Sequence, residues 1–120
     1  MKKYIVISLI SIFGLSAIVP AVSANYGEDN SLLGYVKEYQ TLVPLAHAKV
    51  KLYKKSGKLK DSDKTNLRGK YHFSDLTEGT YKVKVRVEGY RNPKDIRKDT
   101  VSKTIKVDGK DRQNLYLQKM

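Results

Sequence analysis

Cysteine is absent from the chain, which excludes a disulfide framework, thiol nucleophiles and cysteine-based metal sites together. Small exported domains commonly lean on disulfides, so a domain of this kind has to rely on its apolar core and hydrogen-bonded ladders. Tryptophan is also absent, and Phe and His occur twice each, which leaves Tyr, present nine times, as nearly the whole aromatic content. Two histidines without cysteine would need carboxylates to complete a zinc set of three or four protein donors. Negative charge is scarce as well. Lys+Arg 24 stand against Asp+Glu 12, for a formal net charge of +12.

Long apolar runs are missing except at the start. Met1, Lys2 and Lys3 precede an apolar stretch from Tyr4 to Val19, and Val22-Ser23-Ala24 supplies the small residues of a cleavage site. The pattern predicts an export signal over 1–24, cleaved after Ala24, and hence a secreted or cell-surface protein. No second apolar run follows, so no membrane span is expected after cleavage. Removing Lys2 and Lys3 leaves +10, because every acid lies beyond the leader. A surface of that sign attracts polyanions, with a strength that falls as salt rises.

After a polar lead-in at 25–31, period-two alternation dominates positions 32–119 and predicts a single β domain. Leu32 to Tyr39 forms the first strand, with Val36 inward. Ala48, Val50 and Leu52 alternate with Lys49, Lys51 and Tyr53 in the second. Ser56-Gly57 turns the chain into a weaker strand at Lys58 to Thr65, with Leu59 inward. Tyr71 and Phe73 mark a short fourth strand. The strongest segment is Thr80 to Glu88, where Tyr81, Val83, Val85 and Val87 alternate with Lys82, Lys84, Arg86 and Glu88. Arg91 to Thr100 reads as a charged loop broken by Pro93. Val101 to Val107 and Gln113 to Gln118 complete the set, burying Val101, Ile105, Val107, Leu115 and Leu117, with a turn at Asp108-Gly109. Seven short strands without a helix predict an all-β, Greek-key β-sandwich of immunoglobulin-like or transthyretin-like type, in preference to a small closed barrel.

The succession Gly34-Tyr35-Val36, Pro44 through Tyr53, Gly69-Lys70-Tyr71-His72-Phe73, Leu76 through Val83, and Glu88-Gly89-Tyr90 resembles the carboxypeptidase regulatory-like domain, a transthyretin-like (prealbumin-type) sandwich. The likeness is good over Leu32 to Tyr90 and looser beyond. It implies the fold more than a function, because such modules are appended to unrelated proteins. Gly69 and Gly79 are expected at turns needing φ freedom, Leu76 at the sandwich end, and Tyr81 with its hydroxyl near the rim. Transthyretin-like hydroxyisourate hydrolases end in Tyr-Arg-Gly-Ser, whereas this chain ends Leu115-Tyr116-Leu117-Gln118-Lys119-Met120. Collagen-adhesin B-type domains, similar in outline, can join Lys to Asn across their terminal strands under a buried acid. Lys37 and Asn114 are placed suggestively, but counting puts both on the face opposite Val36 and Leu115, and the central strand carries Val83 and Val85 instead of an acid.

Candidate chemistry is sparse. His47 and His72 are expected in solvent. Asp61, Asp63 and Asn66 lack the glycine and distal acid of a calcium loop and read as turn chemistry. Neither a phosphate loop nor a nucleophile elbow is present. No catalytic residue, cofactor or metal is therefore expected, and an enzyme is not.

The basic residues are different. In the arrangement that the resemblance implies, the second and fifth strands pair, so Lys49, Lys51, Lys82, Lys84 and Arg86 would share one outer face, with Lys106 and Lys58 or Lys60 flanking. Like charges opposite one another weaken a sheet unless an anion covers them. The expected function is a secreted, non-enzymatic binding or surface-associated module using this face for anionic cell-envelope polymers or a protein partner. The competing readings are solubilising lysines, a secreted cationic effector such as an antimicrobial or enzyme inhibitor, and, more remotely, a transthyretin-like hydrolase. Tyr53 alone interleaves the cations of the two strands, which offers single-stranded nucleic acid little to stack on. A monomer is the simplest state.

Overall fold

The computed structural model describes residues 30–120; the leader expected over 1–24 lies outside them. The described residues form nine strands: β1 (Asn30–Glu38), β2 (Lys49–Lys54), β3 (Leu59–Lys64), β4 (Lys70–Leu76), β5 (Gly79–Arg86), β6 (Tyr90–Arg91), β7 (Thr100–Val107), β8 (Lys110–Arg112) and β9 (Leu115–Lys119). They form two sheets. One runs β4-β1-β9-β6, with β8 also pairing β1, and the other runs β3-β2-β5-β7. The seven expected strands are present. The additional β6 and β8 are two and three residues long, too short to show a period.

Alternation explains the core. Leu32 and Val36 of β1, Val50 and Leu52 of β2, Tyr71 and Phe73 of β4, Val83 and Val85 of β5, and Leu115 and Leu117 of β9 are fully or almost fully buried between the sheets. Inward residues recur at even spacing along each strand, so one strand contributes its whole inner row to the same layer. The Tyr71 and Phe73 rings pack with centroids 5.7 Å apart. Leu76 closes one end, and Tyr81 buries its ring while its hydroxyl donates to the Thr77 carbonyl at 2.8 Å.

The β4-β1-β9-β6 sheet contains close backbone approaches. β1 runs antiparallel to β4 but parallel to β8 and β9, with Val36 opposite Leu115 and Glu38 opposite Leu117. Gln113 lies between the two parallel partners, its N–H donating to the Leu33 carbonyl at 3.0 Å. A Cβ on Gly34 would fall 1.9 Å from the Gln113 carbonyl oxygen. The same oxygen accepts the Tyr71 phenol, whose own titration is pushed upward by burial. Gly69 has φ +78°, and a Cβ there would meet the Val36 carbonyl at 2.6 Å.

Two buried polar groups fasten the connection out of β1. Glu38 ends the inner row of β1, and its Oε1 accepts from the backbone N–H groups of Thr41 (2.7 Å) and Gln40 (3.0 Å) and from the Thr41 hydroxyl (2.9 Å). Those donors hold its carboxyl below the usual range, with the Thr41 N–H the largest cause. Thr65 donates to the Leu45 carbonyl at 2.7 Å and accepts from the Ala48 N–H at 2.8 Å.

Several local expectations are corrected. Leu59 is exposed, not core: a register shift between Leu52 and Tyr53 sets Leu59 opposite Tyr53, on the outer side of an edge strand. That edge reads Leu-Lys-Asp-Ser-Asp-Lys, a charged sequence that discourages further strand addition. Ile105 is only half-buried, because β7 is the opposite edge. Val87 also is half-buried, because β5 ends at Arg86. Gly79 opens β5 without a positive φ, unlike Gly69. At the start of the charged loop expected over Arg91 to Thr100, Arg91 instead pairs with Gln118 of β9, as Tyr90 just before it pairs with Lys119. Asn92 organises the remainder of that loop, its side chain donating to the Thr100 carbonyl and accepting from the Lys94 and Asp95 N–H groups.

Candidate anion-binding face

Because β2 and β5 bury valine and leucine inward, their remaining positions must face solvent together. Their antiparallel register sets Lys49 opposite Arg86, Lys51 opposite Lys84, and Tyr53 opposite Lys82. All five cations are exposed. Successive outward residues on a strand are about 6.8 Å apart, and neighbouring strands about 4.8 Å. The result is two short parallel rows of positive charge.

Flanking strands extend the face. β7 contributes Thr100 opposite Arg86, Ser102 opposite Lys84, Thr104 opposite Lys82, and Lys106 opposite Thr80. On the other side, Lys64 of β3 lies opposite Lys49, and Ser62 opposite Lys51. Lys58 precedes β3, while Lys60 is the extra residue at its bulge, so Lys64 is the β3 cation in register with the rows. Depressions pit this surface. One of about 480 Å³ is lined by Tyr53, Lys54, Lys55, Thr80, Lys82 and Thr104 among others, and one of about 290 Å³ by Lys49, Lys51, Tyr53, Lys84, Arg86 and Thr100.

Neutralisation is confined to one corner. Arg86 Nε donates to Asp99 Oδ2 at 3.0 Å, and that hydrogen bond, assisted by the charges of Arg86 and Lys84, holds the Asp99 carboxyl below its ordinary range. Among the described residues, no ion pair engages Lys49, Lys51, Lys82, Lys84 or Lys106. Sequence reasoning missed the Asp99 contact, since the acid lies thirteen positions from Arg86 and only the β5–β7 pairing brings them together. It also missed Lys64, whose register depends on the bulge, and the hydroxyl row of β7. The alternation of Thr100, Ser102 and Thr104 with Val101 was the available signal for that row.

Elsewhere the polar residues have local roles. Asp61 accepts from the Ser62 N–H, Asp63 from the N–H groups of Lys64 and His72, and Asn66 from those of Arg68 and Lys70. His47 and His72 are exposed. No cluster of three or more His, Asp or Glu side chains is positioned for a metal among the described residues. Asn114 Oδ1 accepts the Tyr35 N–H at 3.0 Å, and the Lys37 ammonium lies 5.7 Å above the Tyr35 ring, so each has a partner other than its counterpart. No helix of the described residues is long and apolar enough to cross a membrane.

In a comparison against family models, the carboxypeptidase regulatory-like domain matches residues 31–118. The chain belongs to this family. Several solved structures share the fold of this carboxypeptidase regulatory-like domain. A 5-hydroxyisourate hydrolase from Klebsiella pneumoniae superimposes with a TM-score of 0.61 at 15% identity, over 75% of this chain and 91% of that one. BcpA, the major pilin subunit of Bacillus cereus, gives 0.59 at 12% identity over 77% of this chain. This chain spans 31% of that pilin's length. A protein from Pseudomonas aeruginosa proposed to bind carbohydrate gives 0.52 at 14% identity, over 80% and 92% of the two chains. Identities this low speak for the shared fold. Comparison with curated proteins gives no match.

Proposed function

We propose that this carboxypeptidase regulatory-like domain is a secreted, non-enzymatic binding module held at an anionic cell envelope through the outer face of β2 and β5. The supporting observation is the pair of cross-strand rows in which Lys51 opposes Lys84 and Lys49 opposes Arg86, with an ion pair among the described residues of these rows only at Asp99. Uncovered, such rows repel and weaken the sheet; an anion laid over them removes the repulsion. The positive start, apolar run and small-residue triplet over 1–24 support export. Neighbours that include a pilin subunit fit a place at the cell surface.

Elution from wall fragments across a salt series is the test. Retention should fall steeply as salt approaches the range where the Debye length shrinks to about 3 Å. Replacing Lys51 and Lys84 together by Gln should move elution to lower salt, whereas replacing Lys37 and Lys110, which belong to β1 and β8 of the other sheet, should move it much less. Retention indifferent to salt, or equally sensitive to both pairs, overturns the reading.

A further inference from the structure

Three features of the basic face select among anions. The rows on β2 and β5 run parallel to the strands, about 4.8 Å apart, with charges recurring at about 6.8 Å along each. A phosphodiester group suits that track: its two ester oxygens continue a chain along the axis, while its two free oxygens stand to either side, one toward each row. A carboxylate pendant from a sugar ring offers both oxygens on one side of its chain.

The donors form the second feature. Lys49, Lys51, Lys82 and Lys84 carry ammonium groups on flexible stems and act as point charges toward phosphate. Arg86, the one planar fork, which would grip carboxylate or phosphate alike, is already engaged by the carboxylate of Asp99 at 3.0 Å. Asp99 thus occupies the end of the track and leaves the ammonium rows open.

The third feature is what flanks the rows. Ser102 and Thr104 are exposed hydroxyls beside Lys84 and Lys82, and Ser62 is another beside Lys51. Tyr53, opposite Lys82, is the one ring on the outer side of β2 and β5, since Tyr81, opposite Lys54, is buried. Hydroxyl-lined charge without stacking platforms fits a chain of polyol units better than a chain of bases.

We infer that the groove between these rows seats a linear, base-free phosphodiester polymer, a polyol phosphate, extended along β2 and β5; this rests on the basic face being the binding surface. The experiment measures binding of the purified protein, at one low salt concentration, to poly(glycerol phosphate), a polyuronate of matched charge density, and oligodeoxythymidine. Poly(glycerol phosphate) should bind about tenfold or more tightly than either competitor, and the paired substitutions Lys51→Gln and Lys84→Gln should weaken it about tenfold, in line with loss of two phosphate contacts. These substitutions remove cross-strand repulsion and so leave the fold intact, checked by thermal unfolding.

A polyuronate that binds as tightly, and loses as much on the paired substitution, overturns the phosphodiester assignment while the face itself stands. Tighter binding of oligodeoxythymidine overturns the base-free assignment in the same way. Binding of all three polymers that ignores the Lys51 and Lys84 substitutions removes the face, and with it both this inference and the function proposed above.

Discussion

The two sheets are held together by different means. The β3-β2-β5-β7 sheet is an antiparallel ladder, interrupted by the bulge between β2 and β3, in which an apolar inner row and a cationic outer row alternate on β2 and β5, and almost any residue of the right type would serve at each position. In the β4-β1-β9-β6 sheet, single contacts decide: Gly34 under the Gln113 carbonyl, Gly69 under the Val36 carbonyl, Tyr71 reaching Gln113, and Glu38 gathering three donors. Repetition leaves one sheet's outer surface free for binding, whereas close fit makes the other the structural anchor. Substitutions should therefore damage stability chiefly in the β1 sheet and binding chiefly in the β2 sheet.

The largest effect is expected at Gly34. Its Ala variant would need the β8–β9 connection to move away from β1, costing about 3 kcal/mol, the upper end of overpacking penalties. A chemical unfolding midpoint close to that of the original protein would show that the approach is not tight. Next comes Thr65→Val, which leaves the Ala48 N–H and Leu45 carbonyl without their hydroxyl partner. A loss of about 2 kcal/mol is expected for stranding buried backbone groups, measured by the same denaturation.

Glu38 distinguishes the sheets by pH. Its folded pKa is depressed below the ordinary value of 4.5, so its contribution is present above that value and lost as pH falls through the lower folded pKa. The Tm of the original protein should therefore drop below about pH 4.5 more than that of Glu38→Gln. Parallel curves for the two proteins would assign the acid sensitivity to other carboxylates. The smallest effect has the opposite sign. Replacing Lys84 with Thr should stabilise the protein by about 0.5 kcal/mol at low salt through relief of its repulsion with Lys51, with the gain shrinking at high salt. Destabilisation there would mean that the rows do not repel.

The same contrast explains what could be read from the residues. Val50, Leu52, Val83 and Val85 announce their inward positions by a period of two, and that period turns Lys49 and Lys51, and Lys82, Lys84 and Arg86, to the outer sides of their own strands; that the two strands pair into one surface was what the family resemblance implied. Leu59 escaped because one extra residue at a bulge reverses the phase, and nothing in Lys-Leu-Lys signals the insertion. Gly34 fits the alternation of β1, yet its importance lies in the carbonyl of Gln113, far along the chain. The Asp99 contact with Arg86 follows from pairing across a loop whose course Asn92 determines. Chemistry at the candidate face was legible where one strand sufficed to define it, and hidden where a third strand was needed.

The parallel pairing of β1 with β9 has a mechanical consequence. Tension that pulls the start of β1 and the end of β9 in opposite directions runs along both strands. The bonds near Val36 and Leu115, and from the Tyr39 N–H to the Leu117 carbonyl, then share the strain in shear instead of opening one after another. A tether drawn through these two strands would meet its resistance in the sheet containing Gly34, and the lysine rows on the opposite side would keep their spacing under pull.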